Sequence, residues 1–148
     1  MRYFITLILM LSLAACASTP AITTARTGGT VAAPPTESLL GTEWLLEDLG
    51  GAGVLDRVQA TLAFPEAGRV AGSGSCNRFT GSATIGTGGA FSVGQLASTR
   101  RACVPAVMDQ ETKYQKALES AERIAIEGPY LLVFSKSLEK PLRFTRKT

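Results

Sequence analysis

The stretch from Val58 to Ile85 constrains the fold more than any other part of the chain. Val58, Ala60, Leu62 and Phe64 alternate with Gln59, Thr61 and Ala63, so four apolar groups share one face of a strand. Pro65-Glu66-Ala67-Gly68 supplies a turn. A second run then starts with Val70, Gly72, Gly74 and Cys76 on one parity and ends with Phe79, Gly81, Ala83 and Ile85 on the other. A period of two cannot change parity without a local event, so the spacing predicts a β-bulge or sharp bend near Asn77. Gly86-Thr87-Gly88-Gly89 reads as a hairpin into a strand at Phe91–Val93.

After Pro105 the period changes to 3.6. Val107, Tyr114, Leu118 and Ala121 fall on one face and Lys113, Lys116, Glu119 and Glu122 on others, which predicts one amphipathic helix. Asp109 and Glu111 are placed in its first turns, where carboxylates favour the positive end of the macrodipole. Ile124 with Ile126, then 131–134, then Leu142 with Phe144 supply three closing strands, the first two joined by Glu127-Gly128-Pro129-Tyr130. With an opening strand at 44–49, the expected class is α+β, a predominantly antiparallel sheet of about seven strands with one helix. Trp44, Phe64, Phe79, Phe91, Phe134 and Phe144 are its expected core aromatics.

The start of the chain reads as an address. Met1-Arg2, an apolar run from Tyr3 to Met10 and the small residues Ala14-Ala15 before Cys16 describe a secretory signal peptide over 1–15, too short to span a bilayer. Leu13-Ala14-Ala15-Cys16 resembles the bacterial lipobox, which implies lipidation at Cys16 with palmitate-type acyl chains and an anchor in a membrane. Ala17 after the cysteine, in place of Asp, implies the outer membrane, with the protein facing the periplasm. Residues 16–38, rich in Ser, Thr, Ala, Gly and Pro, read as a flexible tether with a reach of roughly 25 Å. The folded module is expected over 39–148.

Composition removes several functions. An apolar fraction of 45% and a charged fraction of 18% exclude a chain disordered throughout. The 148 residues contain no His, which excludes Ser-His-Asp and Cys-His catalytic units and imidazole metal ligands. A formal charge of +3, scattered along the chain, is too small for nucleic-acid binding. No metal or other cofactor, no catalytic residue and a monomeric state are expected.

Gly72 through Cys76-Asn77-Arg78-Phe79 to Gly81, then Thr99-Arg100-Arg101-Ala102-Cys103, then a helix-like segment with Met108 and Glu111, closely resemble the META domain of the HslJ-like family. Gly41-Thr42-Glu43-Trp44 and Leu142-Arg143-Phe144-Thr145 resemble its first and last strands, so the likeness covers essentially all of 39–148. The resemblance implies a small β-rich fold with one helix, found in bacterial envelope lipoproteins associated with heat or antibiotic stress, and no established enzymatic reaction.

With Cys16 taken by lipid, Cys76 and Cys103 form an even pair in an oxidising compartment, and a disulfide between them is expected. Closing that loop would stabilise by roughly 3–4 kcal/mol in the chain-entropy model. The alternative is two separate buried thiols. Asn77 is expected to hydrogen-bond the backbone of the bend, with surface recognition as its functional alternative. A disulfide would also bring Arg78, Arg100 and Arg101 together as a patch for an acidic envelope component or protein partner, the alternative being solvated charge at strand ends. Glu43, Glu47 and Asp48 are expected to face solvent. These readings describe a non-enzymatic binding lipoprotein. Its rival is a small inhibitor of a periplasmic protease or lysozyme, inserting the loop at 86–89 or 127–130.

Overall fold

The computed structural model describes Pro34 and residues 36–148, so the expected leader, Cys16 and most of the tether lie outside the described residues. Helix α1 (Thr36–Leu39) opens the folded part inside the stretch assigned to the tether. Leu39 explains the position: it is fully buried, and its carbonyl accepts a bond from Thr42 Oγ1 at 2.6 Å. That hydroxyl in turn accepts the Trp44 indole N–H at 2.7 Å, so Leu39 fastens this end of the described chain to the core.

Ten strands follow: β1 (Thr42–Leu49), β2 (Ala52–Gly53), β3 (Ala60–Phe64), β4 (Arg69–Gly74), β5 (Arg78–Ile85), β6 (Phe91–Val93), β7 (Ala97–Ser98), β8 (Ala121–Glu127), β9 (Tyr130–Ser135) and β10 (Leu142–Arg146). Helix α2 (Pro105–Glu119) stands between β7 and β8. All pairings are antiparallel, in the order β6-β5-β4-β3-β1-β10-β9-β8, with β2 beside β1 and β7 beside β5. A bridge between Ala90 and Arg123 brings the two ends of this order together, so the sheet is a nearly closed barrel. Closure leaves little exposed edge.

The α+β class and the single long helix stand, but the strand count is higher than seven. The expected long strand at 70–85 is two strands, β4 and β5, paired as Val70↔Gly81 and Gly72↔Phe79. Gly74 N–H donates to Asn77 O at 2.7 Å, leaving Ser75 and Cys76 as a two-residue reversal. A turn of even length exchanges odd for even among the residues facing one side, which is the parity change that suggested a bulge. Strands β2 and β7, two residues each, carry no periodic signal.

The barrel interior is apolar, with side chains of α2 reaching into it. Tyr114 is fully buried, its ring 5.9 Å from Phe79 and 6.2 Å from Phe144, so it joins strands on opposite sides of the core. Burial raises its pKa well above the ordinary phenol value, and its hydroxyl donates to Thr61 O at 3.0 Å. Each large side chain taken out of water contributes about 1.5–3 kcal/mol. Phe134 departs from the expected core set. It is half-buried on the outer face, with the Arg123 guanidinium 3.5 Å above its ring.

Candidate functional site

Three segments distant in sequence meet at one end of the barrel: the 75–77 turn, the 99–103 segment before α2, and the second turn of α2. Gly74 makes the approach possible, because a Cβ there would lie 2.5 Å from Glu111 Cγ. Glu111 Oε2 accepts the backbone N–H of Asn77 at 2.6 Å and of Cys76 at 3.1 Å, while Oε1 accepts Asn77 Nδ2 at 2.7 Å. A carboxylate only 5% exposed thus satisfies three donors of a tight turn that has no ladder partners for them.

Asn77 extends the network to the third segment. Its Nδ2 also donates to Arg101 O at 3.2 Å, and its Oδ1 accepts Arg101 N–H at 2.7 Å and Thr99 Oγ1 at 2.9 Å. Thr99 Oγ1 accepts Arg78 N–H at 3.2 Å, and Thr99 N–H donates to Arg78 O at 3.0 Å. A disulfide between Cys76 and Cys103 closes the same junction, as expected, with Cα atoms 6.2 Å apart. Gln110 fastens a fourth segment: its Nε2 donates to Ser75 Oγ at 3.1 Å and its Oε1 accepts Leu55 N–H at 2.7 Å.

Asn77 is 2% exposed and every polar atom of its side chain is engaged, so it is an internal clamp and has nothing left for surface recognition. The expected bond to the backbone of its own bend is not made: the side-chain partners are Thr99, Arg101 and Glu111, all on other segments. Glu111 likewise departs from its expected part at the helix start. It points across to the 75–77 turn, one element away. The signal for this was present, because 107, 111 and 114 share a helix face with two apolar groups, and a carboxylate on an inward face requires partners.

The expected arginine trio is divided. Arg78, Arg100 and Arg101 are all exposed, but Arg78 lines an open trough together with Arg57, and neither Arg100 nor Arg101 lines it. The contribution of Arg101 is its backbone, held by Asn77. Glu43 and Glu47 lie at the surface and pair with Lys147 at 3.0 Å and Arg143 at 4.0 Å, while Asp48 Oδ1 accepts Gly51 N–H at 2.5 Å.

The family model of the META domain matches residues 37–148. The chain belongs to the META-domain family. Two solved structures share its fold: an NMR structure with 23% identity, covering 76% of this chain and 94% of that one at a TM-score of 0.62, and an NMR structure of a protein from Burkholderia xenovorans, also 23% identical, covering 83% and 97% at 0.61. No curated protein matches the chain. In this META domain the two motifs that carry the family resemblance are physically one object. The Cys76-Asn77 turn and the 99–103 segment are the two sides of the junction, and Glu111 of α2 ties its centre together.

Proposed function

We infer that this META-domain protein is a non-enzymatic lipoprotein of the bacterial envelope that contributes to stress tolerance by binding. The observation that carries this reading is the fate of its polar groups. Asn77, Glu111 and Gln110, the buried polar side chains with chemical potential, are engaged in hydrogen bonds that hold loops in place. The guanidinium groups of Arg57 and Arg78 stay at the surface with no carboxylate partner among the described residues. Rigid support beneath unpaired charge suits capture of an anionic partner, since a pre-ordered site loses little conformational entropy on binding.

Lipid attachment at Cys16 would confine the domain to the membrane surface, within the reach of the 16–38 segment. The inhibitor reading gains no support from its loops. Residues 87–89 form a single 3₁₀ turn with Gly89 buried, and only Gly128 and Pro129 separate β8 from β9. The test is fractionation of cells making the wild type and Cys16→Ser, with crosslinking in the intact envelope. Wild type should sediment with membranes and capture an acidic component, and Cys16→Ser should be soluble. A wild-type protein that is soluble, or that captures nothing, would remove this reading.

A further inference from the structure

The trough lined by Arg57 and Arg78 lies on the outward face of β1, β3 and β4 and encloses about 700 Å³. Its floor is unusually low. Where solvent-facing strand positions ordinarily carry long side chains, this face has Thr61 paired with Ser73 and Ala63 paired with Ala71. Register places Arg78 beside Ser73, level with Thr61, and Glu43 beside Ala63. From the level of Gln59 to that of Ala63 the trough therefore runs about 13 Å, using the strand rise of about 3.3 Å per residue.

Charge along it is uneven. At the Glu43 end the carboxylate is neutralised by Lys147 Nζ at 3.0 Å. Toward the other end Arg57 and Arg78 stand without an acidic partner among the described residues, beside the hydroxyl-bearing Ser73 and Ser75. Residues 1–36 contain no Asp or Glu, so that segment cannot supply a carboxylate to the two arginines.

The backbone adds an independent observation. Among the described residues only two non-glycine residues have positive φ, Arg57 at 63° and Ser75 at 99°, and both line this trough. At Ser75 the positive sign is what the first position of the two-residue reversal requires, so Arg57, an L residue held there at a cost in free energy, is the position that marks the trough. Contacts on either side hold the segments that carry these residues. Gln110 ties Leu55, two residues before Arg57, to Ser75, while Asn77, Thr99 and the disulfide hold the backbone of Arg78.

We propose that this trough binds a small ligand carrying carboxylate or phosphate groups, with Arg57 and Arg78 as its anion-binding residues and the Ser73 and Ser75 hydroxyls as neutral partners. The site rests on the binding function inferred above and gives it a location. Two guanidinium forks suit planar bidentate contact with either oxyanion, and the low floor of Thr61, Ser73, Ala63 and Ala71 leaves room for the rest of the ligand.

Full-length ¹⁵N-labelled protein in a non-ionic detergent, titrated with tri-glutamate and separately with inorganic phosphate, tests it. Saturable shifts should appear at the amides of 57–61 and 71–78. Arg57→Gln and Arg78→Gln should each weaken binding at least tenfold, and Arg123→Gln, on another face, should not. Tighter binding of tri-glutamate would identify carboxylate as the ligand chemistry, and tighter binding of phosphate the other; either supports the site. Shifts that do not saturate, or that both trough variants retain, overturn it. In the intact envelope, a double variant that still captures what the wild type captures would overturn the trough while leaving the binding function standing. A wild type that captures nothing would instead remove that function itself.

Discussion

The two sides of the barrel are held by different forces. On one side β8, β9 and β10 are built from residues such as Ile124, Leu131, Val133, Leu142 and Phe144, all fully buried, and among the described residues no disulfide joins these strands and the buried hydroxyl of Ser135 bonds only within its own connection, to Ser137. On the other side β4 reads Arg-Val-Ala-Gly-Ser-Gly and offers one large apolar group, Val70. Its glycines allow α2 and β3 to come close, but they bury little. A strand so poor in side chains needs other support, and the disulfide, Asn77 and Glu111 provide it. Chemistry-bearing residues at the junction are thus explained by stability, and the proposed binding site is the trough beside it.

The largest test of this contrast is Glu111→Ala. It strands three donors of the 75–77 turn, and should cost about 3–5 kcal/mol in urea unfolding, against less than about 0.5 kcal/mol for the exposed Glu122→Ala. A loss below 1 kcal/mol would mean that water replaces the carboxylate and the junction is weaker than drawn. Next comes Cys103→Ser, expected to cost about 3–4 kcal/mol by releasing loop-closure entropy to the unfolded chain. Leu131→Ala on the apolar side should cost a comparable 2–5 kcal/mol or so, by leaving a cavity instead of an open loop. The two variants separate in local protection: the first should expose 75–78 and 99–103, the second β8 and β9.

Tyr114 spans both sides and gives a smaller effect that depends on pH. Because burial raises its folded-state pKa, the native protein keeps a proton that the unfolded chain releases. Its contribution is complete below about pH 10, the ordinary phenol value, and is lost as pH rises from there toward the folded-state pKa. Tyr114→Phe should cost about 1 kcal/mol at neutral pH, for the bond to Thr61 O, and should flatten the alkaline loss measured by thermal melts. Arg123→Ala, which removes the cation over Phe134 on the outer face, should cost about 0.5–1 kcal/mol.

Most of the architecture is legible in the sequence, because β6, β10 and α2 bury one face, while β9 reads as a short apolar run with Leu131, Leu132 and Val133 all buried. The 70–85 region reads as one strand because an even-length turn and a bulge leave the same parity change in sequence. Only pairing partners distinguish them. The disulfide followed from cysteine counting, and the burial of Asn77 did not, since an amide in a bend satisfies its bonds equally well with local backbone or with distant segments. Arg57 gave no sequence signal at all. Its significance comes from a positive φ and from the register that sets its loop beside Arg78.

Amide hydrogen exchange before and after selective reduction of the disulfide tests the division of labour most directly. The account predicts faster exchange confined to 75–78 and 99–103, with β8, β9 and β10 as protected as before. Uniform loss across the barrel, or no change at the junction, would contradict it.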